Sequence, residues 1–386
     1  MDITQPLALL GGLSPQQFMK RHWQKKPLLV RQALAGMAGF AALLDRAALF
    51  ALAGGDDVES RLVTQGSKGW RMRSGPFRRR ALPPLGQPGW TLLVQGVDLH
   101  VDAAYELLQQ FRFVPEARLD DLMVSYAVDG GGVGPHFDSY DVFLLQAHGR
   151  RRWRIGRQQD LTLQEGVPLK VLANFVPEQE FVLEPGDLLY LPPRYAHDGV
   201  AVGECMTYSI GFRAPQRGEI ARELLQRLAE DADEAAGDAL YRDADQPAAD
   251  SPGRIPAKLQ DFARHALQAA LKNPLALPRA LGEYLTEPKA SVWFEPAGAP
   301  RTLRRVALDR RTRMMFDDHH VFINGESYRA GGRDATLMRR LADHRRLEAD
   351  DLLRASEGAL SLLASWYEAG WLHEPPGRSQ GEHRSA

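Results

Sequence analysis

The sequence has little of what marks a secreted, membrane-spanning or strongly charged protein. A single cysteine, Cys205, among 386 residues excludes a disulfide framework within the chain and fits a reducing compartment. No apolar run approaches the length of a membrane span, and residues 1–5 lack the basic start of a secretion signal. Basic and acidic residues balance, 48 against 49, so the net charge favours neither a nucleic acid nor a membrane surface as partner. We therefore expect a soluble, cytoplasmic protein without membrane contact.

What the sequence does have is a glycine-rich run followed by closely spaced residues of metal-binding types. His136 and Asp138 come directly after the run Gly130-Gly131-Gly132-Val133-Gly134-Pro135. Residues two apart on a strand project from the same face, so this imidazole and this carboxylate point together. A second imidazole, His197, follows later in the chain, after the turn Pro185-Gly186-Asp187. Two histidines and one carboxylate on one face of a metal ion are typical of non-haem Fe(II) oxygenases, so we predict His136, Asp138 and His197 as iron ligands.

An arginine on the apolar side of a predicted strand is the next candidate. If residues 150–156 form a strand, Arg151 shares a face with Trp153 and Ile155, whereas the neighbouring arginines face solvent. A guanidinium on an apolar face is costly unless it meets an anion, and its planar fork favours a carboxylate. Arg151 therefore binds either the far carboxylate of 2-oxoglutarate or an aspartate or glutamate of the chain itself.

These stretches resemble a known family. The motifs that carry the resemblance are the run Asp120-Asp121-Leu122-Met123-Val124-Ser125-Tyr126, the glycine-rich run with His136 and Asp138, and the segments Tyr140–Phe143, Gly149–Gly156, Glu184–His197 and Tyr208–Arg213. They are similar to the JmjC family of 2-oxoglutarate oxygenases in the cupin, or double-stranded β-helix, class. More narrowly, they resemble the bacterial ribosomal oxygenases.

The resemblance implies an enzyme that uses Fe(II), 2-oxoglutarate and O2 to hydroxylate an arginine side chain of a large-subunit ribosomal protein, protein 16. Arg151 would then bind the far carboxylate of 2-oxoglutarate with help from Ser125. On the predicted strand Ser125 shares a face with Met123 and Ala127, and it either lines a cavity or serves only for packing. The candidates for holding the guanidinium of the substrate are Asp129, Tyr140, Asp141 and Asp198.

The expected fold is mixed α and β, and it divides into four parts. Residues 1–213 form a double-stranded β-helix (cupin/JmjC) core with N-terminal helices. Residues 214–290 form a helical region with an acidic linker near 230–253, and the resemblance favours a homodimer through this region. Residues 291–376 resemble a winged-helix domain, but arginines and acidic residues are equally numerous there, so we do not expect direct nucleic-acid binding. Residues 377–386 form a polar tail.

Local signals predict individual elements. Ser14 and Pro15 fit the first positions of a helix, and Asn324-Gly325 predicts a hairpin turn. From Asp141 onward the pattern predicts short strands separated by turns at Gly149, Gly156, Gly166, Asn174, Pro185 and Gly203. Further helices are predicted for Ala41–Ala53 and Asp350–Gly370, and Pro274 and Pro278 are expected to interrupt the helical pattern that precedes Leu281.

Three other functions remain open at this point. The same oxygenase chemistry could act on a histidine or asparagine of another protein. The chain could instead be a non-oxidative cupin that binds a divalent metal, although such cupins often use three histidines and a glutamate, and Asp138 and Arg151 argue against this. A third alternative is a ribosome- or DNA-binding module whose metal site is vestigial.

Overall fold

The computed structural model describes residues 2–34, 43–67, 69–300 and 302–375. Two compact units make up the chain, the first ending at Ala214 and the second beginning at Pro215. The predicted polar tail and the first two residues of the helix expected at Ala41–Ala53 lie outside the described residues. The division of the second unit into a dimerisation region and a separate domain stays a prediction.

Three helices of the first unit precede or interleave with its strands. They are α1 (Pro15–Arg21), α2 (Arg46–Leu52) and α3 (Asp102–Gln109). Ser14 and Gln17 form the reciprocal capping pair at the start of α1, with Pro15 as its first residue, as the sequence predicts. The α2 helix begins later than expected because Asp45, whose side chain accepts a hydrogen bond from the Ala48 amide, caps it there.

One antiparallel sheet of nine strands forms the body of the first unit. Its strands are β1 (Leu28–Val30), β2 (Ser60–Gly66), β3 (Gly69–Ser74), β4 (Trp90–Val94), β5 (Leu119–Ala127), β6 (Val142–Arg157), β7 (Gln179–Leu183), β8 (Leu188–Leu191) and β9 (Tyr195–Phe212). The order is β1-β8-β6-β9-β5-β4-β2-β3, and β7 pairs with the second half of β6 while β8 pairs with the first half. The long strands β6 and β9 are thus each paired with several neighbours.

The prediction of short strands after Asp141 is wrong for β6 and β9. These strands have 16 and 18 residues and pair along their full length. Gly149 and Gly203 do not end a strand, because each takes a positive φ at an irregularity within one. The side chain of Gln146 braces the irregularity by donating to the carbonyls of His148 and Gly149. Of the six predicted turns, only Gly166, Asn174 and Pro185 lie between strands.

The two faces of the sheet have different environments. On β6, Phe143 and Leu145 pack into the larger core together with residues of the helices, such as Phe18 of α1. The alternate residues Val142 and Leu144 face the other way, into a smaller cluster and a cavity. The functional candidates lie on this second side.

The second unit begins with helices and continues as a small mixed domain. Its elements are α4 (Arg217–Glu230), α5 (Ala232–Ala236), α6 (Ala257–Ala270), α7 (Ala276–Thr286), β10 (Val306–Leu308), β11 (Met314–Phe316), β12 (His320–Ile323), β13 (Glu326–Arg329), α8 (Gly332–His344), β14 (Arg346–Leu347), α9 (Ala349–Leu352), α10 (Glu357–Glu368) and β15 (Leu372–His373). The strands form two three-stranded sheets, β14-β10-β15 and β11-β12-β13. Asn324 and Gly325, both with positive φ, make the predicted hairpin turn.

Three details of the second unit differ from expectation. The helix predicted for Asp350–Gly370 is interrupted, because Ser356 caps α10 and donates a hydrogen bond to Asp334. Pro278 does not break α7, since it lies in the first turn, where its missing N–H has no helical partner to lose. The expected linker near 230–253 contains α5, and the ring of Tyr241 packs at 5.6 Å from that of Phe262.

Every helix in the described ranges is too short or too polar to span a bilayer.

Candidate active site

The three predicted ligands meet at one cavity of about 380 Å³ on the second side of the sheet. One potential ligand atom from each of His136, Asp138 and His197 lies within 4.8 Å of the other two. The Nε2 atom of His197 is 3.7 Å from a carboxylate oxygen of Asp138, and the two imidazole centroids are 4.3 Å apart. The spacing suits a single metal ion held by three side chains.

The main chain brings the two histidines side by side. The amide of His136 donates to the carbonyl of His197 at 2.9 Å, and the amide of His197 donates back at 2.8 Å. Glycines allow this approach: a Cβ at Gly132 would lie 2.7 Å from the Gly199 carbonyl oxygen, and Gly134 has a φ of +80°. The glycine-rich run therefore serves to lay the His136 segment directly against β9.

Both imidazoles are oriented by peptide carbonyls. The Nδ1 atom of His136 lies 2.9 Å from the Gly134 oxygen, and that of His197 lies 3.0 Å from the Tyr195 oxygen. A carbonyl only accepts, so Nδ1 carries the hydrogen and Nε2 keeps a free lone pair for a metal. Burial, together with the neighbouring His136, lowers the pKa of His197 to about 4 against the opposing effect of Asp138. At neutral pH His197 is therefore uncharged, with the Nε2 lone pair available to a metal.

Arg151 is buried at the cavity with part of its hydrogen-bonding capacity unused. Its side chain is 4% exposed, and its Nη1 donates to the Ser125 hydroxyl at 3.1 Å. The Nε and Nη2 atoms are buried and have no acceptor among the described residues, and no carboxylate in those ranges forms an ion pair with Arg151. A buried guanidinium with unsatisfied donors is costly, so the arrangement fits an anion that enters the cavity.

Three of the four candidate holders of a substrate guanidinium do not line the cavity and bind other groups of the protein. Asp129 accepts from the Gly203 amide, and Asp198 pairs with Arg154 at 2.5 Å. Asp141 is fully buried and accepts a 2.6 Å hydrogen bond from Tyr190. Tyr140 is the candidate that lines the cavity.

Sequence reasoning missed two carboxylates at the cavity, Asp120 and Asp121 of β5. Adjacent residues of a regular strand point to opposite faces, so alternation could place only one of them there. The pairing of β5 with β9 shifts register between Leu119 and Leu122, and this irregularity lets both line the cavity. Asp121 accepts from the Gly96 amide, and Asp120 is 3.5 Å from Arg213. In the sequence, the two adjacent aspartates were a sign that acidic groups could gather at one place.

This fold and this cluster define a protein of the JmjC class, and the family model described as the JmjC domain matches residues 106–220. A second model, the ROXA-like winged helix, matches residues 267–373. The ribosomal protein uL16 3-hydroxylase of Escherichia coli (strain K12) is 35% identical over 290 residues, which cover 73% of this chain and 74% of that protein. The chain belongs to the ribosomal oxygenase family, as the sequence motifs predict.

Solved structures agree over nearly the whole chain. The crystal structure of the Escherichia coli ribosomal oxygenase YcfD has a TM-score of 0.77 at 30% identity and covers 93% of this chain and 97% of its own. YcfD in complex with cobalt and 2-oxoglutarate has the same TM-score and identity, with 94% and 98% coverage. The predicted fold class, a JmjC core followed by a winged helix, is confirmed, while its dimerisation region stays a prediction.

Proposed function

We propose that this protein is an Fe(II)- and 2-oxoglutarate-dependent hydroxylase that acts on an arginine side chain of ribosomal protein uL16. The observation that carries the proposal is one cavity with two imidazoles and a carboxylate, and with Arg151, whose buried Nε and Nη2 donors lack an acceptor among the described residues. Two comparisons support it. The Escherichia coli protein is named for hydroxylation of uL16, and the YcfD structure was solved with cobalt and 2-oxoglutarate.

His136, Asp138 and His197 would hold Fe(II) through two Nε2 atoms and one carboxylate oxygen. Such a triad occupies one face of the ion and leaves the remaining positions for cosubstrate and O2. When bound, the iron, O2 and 2-oxoglutarate supply the oxidation of a C–H bond, with succinate and CO2 as coproducts. The chain supplies the ligands, the orientation of both substrates and the exclusion of water.

Arg151 would bind the distal carboxylate of 2-oxoglutarate through its unused Nε and Nη2 donors. Ser125 accepts from Nη1, so it holds the guanidinium in place while its own hydroxyl hydrogen is free to donate to the carboxylate. Ser125 is therefore both a positioning residue for Arg151 and a second contact to the cosubstrate.

The acidic residues at the cavity favour arginine over the alternative target residues. Asp120, Asp121 and Tyr140 line the same cavity as the three predicted iron ligands. Carboxylates form charge-assisted hydrogen bonds with a guanidinium, whereas an asparagine amide or a neutral imidazole gains less from them. A ribosomal protein substrate also favours the cytoplasm as the place of action.

The decisive experiment is hydroxylation of purified uL16 by the full chain with Fe(II), 2-oxoglutarate and O2, read by mass spectrometry. We expect one added oxygen atom, located by fragmentation on an arginine, together with succinate formation that stops without O2. The variant His136→Ala is the control and should form neither product.

Other outcomes would favour the alternatives. An added oxygen on histidine or asparagine peptides instead of arginine peptides would change the target residue. Metal binding without succinate formation would identify a non-oxidative cupin. Ribosome binding that ignores 2-oxoglutarate, with no oxidation, would identify a binding module.

The helices of the second unit support a homodimer. In the described structure α4 and α6 bury none of their residues, and Leu225, Leu267 and Leu271 are 62%, 63% and 49% exposed. An amphipathic helix gains stability by covering its apolar stripe, and a second copy of the chain would cover these. Sedimentation should show a dimer that Leu267→Glu weakens and Leu353→Glu does not, since Leu353 lies outside these helices. A monomeric wild-type protein would refute the dimer.

A further inference from the structure

Trp153 occupies the stretch of cavity wall between Arg151 and His197. In the pairing of β6 with β9, Ile155 lies opposite His197, Trp153 opposite Gly199 and Arg151 opposite Ala201. A molecule that contacts both His197 and Arg151 therefore lies beside the pair formed by Trp153 and Gly199.

The packing of β9 fixes the indole in this place. A Cβ at Gly199 would lie 2.6 Å from Cζ3 of Trp153, so the six-membered ring occupies space that any other residue at position 199 would fill. The indole centroid is 5.8 Å from the imidazole of His197, and the guanidinium carbon of Arg151 is 5.9 Å from the ring. The pyrrole part of the indole, which carries Nε1, extends away from Gly199.

The indole N–H of Trp153 has no acceptor among the described residues, although the side chain is only 5% exposed. Two other buried tryptophans do satisfy this donor: Trp90 donates to the Pro84 carbonyl and Trp366 to the Tyr328 hydroxyl, each at 3.2 Å. A buried N–H without a partner carries a desolvation cost, and tryptophans inside proteins usually avoid it. The acceptor that Trp153 lacks is therefore expected in the cavity that it lines.

We propose that Trp153 is a further cosubstrate-binding residue, whose indole N–H donates a hydrogen bond to the distal carboxylate of 2-oxoglutarate beside Arg151. The inference rests on the proposed function, because it takes 2-oxoglutarate as the occupant of the cavity. It assigns the distal carboxylate contacts from Arg151, Ser125 and Trp153, and it gives Gly199 a reason to lack a side chain.

Binding of 2-oxoglutarate tests the proposal without turnover. The full chain is loaded with Co(II) and titrated calorimetrically as wild type, as Trp153→Phe and as the control Trp90→Phe, in which the lost N–H faces a protein carbonyl. A hydrogen bond to a charged acceptor corresponds to about a tenfold loss of affinity for Trp153→Phe. Trp90→Phe should bind as wild type does.

A second measurement separates the N–H from the bulk of the ring. Of the seven tryptophan indole signals in a nitrogen–proton spectrum, the one lost in Trp153→Phe should move on addition of 2-oxoglutarate. Benzothienylalanine at position 153 keeps the bicyclic shape without the N–H and should reproduce the weakened binding, which keeps the test valid if the Phe variant does not fold.

Two results would overturn the proposal in distinguishable ways. One result is that the wild type binds 2-oxoglutarate and Arg151→Ala weakens that binding, while the benzothienylalanine protein binds as the wild type does and the indole signal does not move. Trp153 then makes no such contact and the proposed function stands. If the metal-loaded wild type does not bind 2-oxoglutarate at all, the proposed function and the role of Trp153 fail together.

Discussion

At the scale of single residues, burial gives Arg151 and His197 the properties that the site needs. Arg151 keeps a charged fork in the cavity with two donor atoms that lack an acceptor in the described ranges. His197 is uncharged at neutral pH because burial holds its pKa at about 4. Arg151 on β6 is thus suited to an anion and His197 on β9 to a metal cation, as the proposed function requires.

Replacing Arg151 with alanine should raise the KM for 2-oxoglutarate far more than it lowers kcat. The loss of charged hydrogen bonds corresponds to a rise of about ten- to a hundredfold. Arg152→Ala is the matched control, since Arg152 is the next residue on β6 and points to solvent. Succinate formation at varied 2-oxoglutarate concentration measures both. Equal KM values for the two variants would remove Arg151 from the cosubstrate site.

The low pKa of His197 predicts that the metal-free protein loses stability in acid. Above its ordinary pKa of 6.5 the imidazole is neutral in both states, so it has no effect there. Between pH 6.5 and about pH 4, His197 is protonated in the unfolded chain but stays neutral in the folded protein. The unfolding free energy therefore falls across this window, by about 3 kcal/mol from this group.

Urea unfolding between pH 7 and pH 4 in the presence of a chelator measures this effect. The variant His197→Gln should show a shallower loss with acid than the wild type. His148→Gln, which changes an exposed histidine, should retain the full slope. An unchanged slope in His197→Gln would contradict the assignment.

Much of the candidate site could be predicted because metal and anion chemistry require particular residue types. Two histidines, an aspartate at the right spacing and an arginine on an apolar strand face are visible in the sequence. Asp120 and Asp121 could not be predicted to share the cavity. Their placement depends on a register shift between β5 and β9, which the alternation of residues along a strand does not reveal. The role of Trp153 was also hidden, since an unsatisfied indole N–H exists only in three dimensions.

At the scale of elements, glycine explains the largest error in the predicted fold. A glycine with positive φ can end a strand or bulge it, and both uses look alike in a sequence. Gly166 separates strands, whereas Gly149 and Gly203 lie within them. Whether such a glycine ends a strand or bulges it depends on pairing with residues far away in the chain, here the pairing of β6 with β9. The sequence around the glycine does not show this pairing.

Gly149→Ala and Gly203→Ala should differ strongly in stability although both residues have positive φ. A Cβ at Gly149 would lie 2.0 Å from the Glu204 carbonyl oxygen, while nothing lies within 4 Å of one at Gly203. The Gly203 variant should lose about 1 kcal/mol from backbone strain alone. The Gly149 variant should lose roughly 3 kcal/mol or more, because the main chain itself must move. Chemical denaturation measures both, and similar losses would contradict the predicted clash.

At the scale of the whole molecule, the chain consists of two units with separate apolar cores. The first core contains residues such as Phe143 and Tyr190, and the second contains residues such as Leu341 and Trp366. The three predicted metal ligands and the residues proposed to contact the cosubstrate all belong to the first unit. Ligands of the site should therefore stabilise one unit directly.

Calorimetry should resolve this as two thermal transitions with different sensitivities. Co(II) with 2-oxoglutarate should raise the transition of the first unit, by about 2.7 kcal/mol at a ligand concentration one hundred times Kd. Ser356→Ala, which removes the α10 cap, should lower only the other transition, by about 1 kcal/mol. Ser361→Ala in the same helix is the control, because Ser361 is exposed. A single transition that responds to both changes would show that the units unfold together.

The hydrogen bonds from His136 to the Gly134 carbonyl and from His197 to the Tyr195 carbonyl have a consequence for how such a protein can change. Peptide oxygens are present whatever the side chain, so point substitution at positions 134 or 195 does not delete these contacts by chemistry alone. The walls of the cavity can therefore change by substitution while the two carbonyl acceptors that orient the imidazoles remain.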